Sequence, residues 1–130
     1  AQGWALIDGS YYYKEGARFI NNQIKKINGN WYYFDDESQA ASGWKTINGV
    51  RYYFGRADHI MYTGYHVINK ILYYFDANGA CQGIYGPQNG WYQADGNWYY
   101  IRGGRALTSE KTVTNNAWYE FDENGIWVTE

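Results

Sequence analysis

The sequence predicts an all-β chain: a β-solenoid of about six stacked two-stranded hairpins, with a repeat of roughly 20 residues. Three observations lead there. An aromatic block recurs at a near-constant interval, a tight-turn dipeptide precedes each block, and the chain is unusually rich in Tyr and Trp.

The block is four residues long: Tyr11-Tyr12-Tyr13-Lys14, Trp31-Tyr32-Tyr33-Phe34, Arg51-Tyr52-Tyr53-Phe54, Leu72-Tyr73-Tyr74-Phe75, Trp98-Tyr99-Tyr100-Ile101 and Trp118-Tyr119-Glu120-Phe121. Successive blocks start 20, 20, 21, 26 and 20 residues apart. Seven residues before each block stands Trp4, Ile24, Trp44, Tyr65, Trp91 or Lys111, and four of these follow a glycine (Gly3, Gly43, Gly64, Gly90).

The turns lie between these two anchors: Asp8-Gly9, Asn28-Gly29, Asn48-Gly49, Asn69-Lys70, Asp95-Gly96 and Asn115-Asn116. Asn-Gly and Asp-Gly readily adopt the two positive φ angles of a type I′ hairpin turn. Lys tolerates positive φ poorly, so the sequence predicts a looser hairpin at Asn69-Lys70.

Period-two alternation puts the second and fourth block members on one face and the first and third on the other. The second is always Tyr and the fourth usually Phe, as a buried interior requires. The first varies freely, as a surface set by neighbours or ligands would. One hairpin alone is marginal in water, so stability must come from stacking.

These marks place the repeats at about 3–22, 23–42, 43–63, 64–82, 90–109 and 110–130 of a single array, 1–130. The long interval puts an inserted loop at 83–89, around the single proline, Pro87.

Composition narrows the function. Tyr and Trp, 23 of the 130 residues, offer both apolar bodies and polar tips, suiting a thin core and a stacking surface. Net charge is −2 with no basic stripe, which argues against nucleic acid as a partner. No apolar run approaches the roughly 20 residues of a membrane span, so no membrane insertion is expected. The single cysteine, Cys81, excludes an internal disulfide. The chain starts in repeat sequence at Ala1, which reads as a piece of a longer parent whose export signal lies elsewhere.

Candidate chemistry is sparse. His59 and His66 have no partners at metal-ligand spacing and read as surface histidines. Asp35, Asp36 and Glu37 lack a calcium-loop pattern. Asp76 and Asp122 hold repeated turn positions, which favours turn chemistry over a catalytic pair. Met61 reads as packing filler and Cys81 as a small apolar residue in a loop. No catalytic residue, metal site or cofactor is expected.

Gly43-Trp44-Lys45-Thr46-Ile47-Asn48-Gly49-Val50-Arg51-Tyr52-Tyr53-Phe54 and Gly90-Trp91-Tyr92-Gln93-Ala94-Asp95-Gly96-Asn97-Trp98-Tyr99-Tyr100 resemble the cell-wall-binding repeat family. Its branches include choline-binding proteins, glucan-binding domains of glucansucrases and repeats of clostridial toxins. The resemblance implies a solenoid of hairpins without enzymatic activity. It implies an extracellular place on the bacterial cell surface, where the repeats attach a fused partner domain to choline-bearing teichoic acid or a surface polysaccharide.

By that resemblance a choline site is an aromatic box between successive hairpins. Its walls are the Trp after Gly, the first block aromatic, the second-position Tyr of the next block, and an apolar residue nine beyond the block's start. The fifth repeat fits best, with Trp91, Trp98, Tyr119 and Leu107. The first is a second candidate, with Trp4, Tyr11, Tyr32 and Ile20. Elsewhere Ile24, Arg51 or Leu72 replaces a wall, and Arg51 would repel a cation. Units three and four look closer to sugar-binding repeats, with Asn48, Arg51 or Gln93 as hydrogen-bonding neighbours. A binding module is therefore expected. An α-glucan or host-glycan module, a small carbohydrate-active enzyme and a structural stalk remain as alternatives.

Overall fold

The computed structural model describes residues 3–129. Residues 1, 2 and 130 lie outside that description, and with them the start of the chain at Ala1 and the outer ends of the expected array. Two compact units divide the chain, Ala1–Tyr62 and Thr63–Glu130, each with three hairpins.

In the first unit β1 (Gly3–Ile7) pairs with β2 (Ser10–Glu15), flanked by β3 (Arg18–Phe19). Then β4 (Gln23–Ile27) pairs with β5 (Asn30–Phe34), and β6 (Gly43–Ile47) with β7 (Val50–Phe54). In the second unit β8 (Gly64–Ile68) and β9 (Ile71–Phe75) form a hairpin flanked by β10 (Cys81–Ile84). There follow β11 (Gly90–Ala94) with β12 (Asn97–Arg102) and the short β13 (Arg105–Ala106), then β14 (Glu110–Thr114) with β15 (Ala117–Phe121). The described elements are all strands, as the repeat pattern predicts.

Every hairpin closes over the expected dipeptide. Asn48 and Gly49 sit at φ 52° and 83°, the type I′ combination, and Ile47 pairs with Val50 across them. Asn69-Lys70 departs from expectation, because that hairpin is as tight as the others. Lys70 adopts φ 68° and Ile68 pairs with Ile71. Two contacts hold it there: the Lys70 ammonium donates to Thr108 Oγ1 at 2.8 Å, and its carbonyl accepts the Ala106 N–H at 2.8 Å.

The anchor seven residues before each block lies directly opposite the block's third member, as in Trp4↔Tyr13, Trp44↔Tyr53 and Trp91↔Tyr100. Fourth members form the core: Phe34, Phe54, Phe75 and Phe121 are essentially inaccessible, as is Ile101. The two-face rule breaks at Tyr53, which is buried more deeply than Tyr52. Trp44 packs edge-on to one side of it at 5.2 Å and Tyr62 lies on another at 4.8 Å. The rule also breaks at Leu72, a first member buried in a cluster with Ala94, Tyr99, Ile101 and Ala106.

Each repeat carries a third strand or bridge that the block pattern does not announce. The fourth member pairs with Phe19, Ala40, Met61, Cys81, Ala106 or Trp127 in turn. Cys81 is thus the first residue of a strand rather than part of a loop. The expected insertion at 83–89 begins as β10, with a bulge between Cys81 and Gly83. Tyr85 continues it, donating its N–H to Leu72 and packing its ring on Tyr65 and Tyr74.

Within each unit the third strand also joins neighbouring hairpins. The N–H of Ala40 donates to Tyr11 and that of Met61 to Trp31; in the second unit Trp127 donates to Trp98 in the same way. The turn after each block is closed by a carboxylate where one is present. Asp35, Asp76 and Asp122 each accept two backbone N–H groups, which fits turn chemistry.

Candidate functional site

In the second unit β11 supplies Trp91, β12 supplies Trp98, β15 supplies Tyr119, and the segment after β15 supplies Trp127. These four rings line an open cleft of about 340 Å³. Their planes stand nearly at right angles. Trp91 meets Trp98 at 6.0 Å and 90°, Tyr119 at 5.0 Å and 74°, and Trp127 at 6.0 Å and 63°, while Tyr119 meets Trp127 at 5.4 Å and 65°. All four rings border the cleft, and a desolvated cation held over an aromatic face gains about 2 kcal/mol or more. Among the described residues, no charged side chain lines this cleft.

Three of the four predicted walls, Trp91, Trp98 and Tyr119, therefore come together. The fourth does not: Leu107 is buried away from the cleft, and Trp127 takes the place assigned to it. Leu107 lies one residue beyond the bridging residue of its own repeat, and its N–H donates to Tyr100. The wall is the bridging residue of the following repeat, brought over the cleft by the Trp127 N–H to Trp98 bond. The signal that finds it is the aromatic nine residues beyond the next block's start.

The first unit repeats this geometry at its first two hairpins. Trp4 meets Tyr11 at 6.5 Å and 84°, Tyr32 at 4.8 Å and 70°, and Phe34 at 5.8 Å and 39°. The corresponding Trp91–Phe121 pair lies at 5.7 Å and 42°. Ile20 is again misplaced by one position, buried in a cluster with Ile27, Tyr32 and Phe34. The cleft, about 230 Å³, is lined instead by Trp4, Tyr11, Tyr32, Ala57, Asp58 and His59. His59 stands 5.2 Å from the Tyr11 ring, so it is a cleft residue rather than an isolated surface histidine.

The other steps differ. Ile24 faces Tyr33, where Trp4, Trp44 and Trp91 face a Tyr. Arg51 lays its guanidinium 3.9 Å over the Trp44 ring, putting a cation of the protein's own on that face. Leu72 is in the core, and the sixth repeat places Lys111 opposite Glu120. His66 is half-buried, with its pKa pushed below the usual histidine value by burial, against a hydrogen bond to the Thr63 carbonyl that opposes the shift.

Residues 41–81 match the family described as choline-binding repeat, and residues 25–37 and 89–103 match the putative cell wall binding repeat. No curated protein sequence matches. Among solved structures, choline-binding protein F of Streptococcus pneumoniae with a peptidoglycan analogue shares 28% identity at TM-score 0.60, over 99% of this chain and 47% of that one. CbpJ of the same organism shares 26% at TM-score 0.60, over 98% and 42%. The pneumococcal cell wall endolysin of phage Cp-1, solved with choline, shares 27% at TM-score 0.61, over 100% and 38%. The chain thus spans less than half the length of each of these. Alternansucrase, solved with isomaltononaose, shares the fold at 20% identity and TM-score 0.50. The fold class is the hairpin solenoid of these repeats, and residues 25–37, 41–81 and 89–103 are repeats of the cell-wall-binding, choline-binding type.

Proposed function

We propose that the chain is a non-catalytic cell-wall-binding module that holds the quaternary ammonium of choline-bearing polymers in the Trp91/Trp98/Tyr119/Trp127 cage. The observation that carries this is the cage itself: four aromatic rings, with Trp91 edge-to-face to the other three, and no charged side chain among the described residues of the lining. A quaternary ammonium has no N–H to satisfy, so ring faces alone can replace its hydration. The likeness to an endolysin solved with choline, and to choline-binding protein F solved with a peptidoglycan analogue, supports the same ligand class. On this reading the chain anchors a larger secreted protein, with its partner domain, to choline-bearing teichoic acid at the bacterial surface.

Arg51 favours a second reading for one place. Stacked on Trp44, it excludes a ligand cation there and presents N–H donors beside an aromatic face, as a saccharide subsite would.

Titration of Trp fluorescence with choline and, separately, with α-glucan oligosaccharides tests both. Choline is expected to saturate. Trp98→Ala should weaken it roughly ten-fold, about 1–2 kcal/mol, without unfolding the chain. Affinity should stay flat between about pH 5 and 8, because only aromatic groups line the cage. No response to tens of millimolar choline, with saturation by a glucan, would replace the choline reading by the saccharide one.

A further inference from the structure

The two cages share three walls and differ in the fourth. At the first, Ala40 holds the backbone place of Trp127: its N–H donates to Tyr11 as that of Trp127 does to Trp98. A methyl group there leaves the side open, and the loop after β7 fills it with Asp58 and His59.

That loop is altered in a way that delivers both side chains. The fourth residue after the block's start is Asp35, Asp76 or Asp122 in the other capped turns; here it is Gly55. The turn-closing carboxylate has moved to Asp58, whose Oδ1 accepts the Ile60 N–H at 3.0 Å. A Cβ at position 55 would collide with that oxygen, so Gly55 makes the relocation possible. The left-handed position of the turn, held by Ser38, Gly79 or Gly125 elsewhere, is occupied by His59 at φ 64°. A histidine there carries backbone strain that glycine avoids, and its ring closes the cleft. The His59 Nδ1–H donates to the Ala41 carbonyl at 3.1 Å, which makes Nε2 of the neutral ring an acceptor.

We infer that the Trp4/Tyr11/Tyr32 cage, completed by Asp58 and His59, selects an ammonium bearing N–H groups, whereas the all-aromatic cage selects a fully alkylated one. This deepens the choline reading and rests on it. The aromatic walls attract any cation, but a carboxylate and a ring nitrogen gain more from an ammonium that can donate to them. A trimethylated nitrogen cannot donate, and its methyl groups keep the Asp58 oxygens at van der Waals distance. Asp58 is thus a specificity-determining residue, and the chain offers two cages for two classes of cation.

The test is an NMR titration of the Trp98→Ala chain, which weakens the all-aromatic cage, following the Trp4 indole N–H and the His59 ring signals that report on the first cage alone. Ethanolamine and Nα-acetyl-lysinamide serve as N–H-bearing probes, one an amino-alcohol headgroup and the other a peptide side chain; the tighter of the two names the source. Choline is the quaternary probe. The tighter N–H-bearing probe should bind several-fold better than choline. Asp58→Asn, which keeps an oxygen acceptor for Ile60, should shift that ratio about ten-fold toward choline. Equal or tighter choline binding in the Trp98→Ala chain, or a ratio that Asp58→Asn leaves unmoved, overturns the inference. Choline titration of Trp4→Ala reads the other cage separately, so failure of the choline reading is recognised on its own.

Discussion

At Lys70 the backbone holds φ at 68°, a conformation that costs an L residue roughly 1–2 kcal/mol. The ammonium contact to Thr108 helps offset that cost. Lys70→Met keeps the strain and removes the donor, so it should lower stability by about 0.5–1.5 kcal/mol in urea melts. Phe54, with no accessible surface, marks the other extreme. Phe54→Ala should cost about 3–5 kcal/mol by the same measurement, a large share of the stability of a domain this size. His66 makes stability depend on pH. Burial lowers its pKa in the folded state, so below its unfolded value of about 6.5 the unfolded chain binds the extra proton first. Its contribution is fully present above that value and is lost as pH falls toward the lowered one. The urea midpoint should therefore drop on acidification below about pH 6.5, and His66→Asn should flatten that part of the curve.

The hairpin and its third strand form the repeating element, and each part has its own test. Gly49 sits at φ 83°, and a methyl group added there would meet nothing within 4 Å, so Gly49→Ala reads the backbone cost alone. About 1–2 kcal/mol is expected in urea melts. The third strand decides the cage. Trp127→Ala should weaken choline about ten-fold with little loss of stability, because Trp127 is only partly covered. Leu107→Ala should do the reverse, costing about 2–5 kcal/mol of stability while the folded protein keeps its affinity. Fluorescence titration and urea melts on the pair separate a cage wall from a core residue. If the two variants exchange these outcomes, the assignment of the fourth wall is wrong.

At the scale of the whole molecule, each unit draws its stability from hairpins that cover one another. The core Phe and Ile of successive blocks are buried by neighbours, and backbone bonds such as Trp127 to Trp98 tie the steps together. A chain ending after Ser109 loses the sixth hairpin, Tyr119 and Trp127 at once. Amide hydrogen exchange in that chain should show protection falling in the fifth repeat much more than in the first. Equal loss in both would contradict nearest-neighbour stacking.

The twenty-residue recurrence, the Asn-Gly and Asp-Gly turns and the Phe positions were legible in the sequence. Each is a local property: a φ preference, a side-chain alternation, an interval. The same reading brought Trp91, Trp98 and Tyr119 together, because their positions follow from register within one hairpin and the next. It placed Leu107 and Ile20 in the walls wrongly, since both are packed into the core just past their third strands, and the remaining side of each cleft is filled from a later repeat, by Trp127 in one and by Asp58 and His59 in the other. Short third strands of one or two pairings carry almost no pattern of their own, so Trp127 and Ala40 gain their meaning only once the hairpins are stacked. Lys70, Tyr53 and His59 were likewise decided by packing rather than by local preference: a threonine 38 residues on, a pair of flanking rings, and a tyrosine two repeats earlier. Local preference chose the hairpins, and packing between them chose what each cleft can hold.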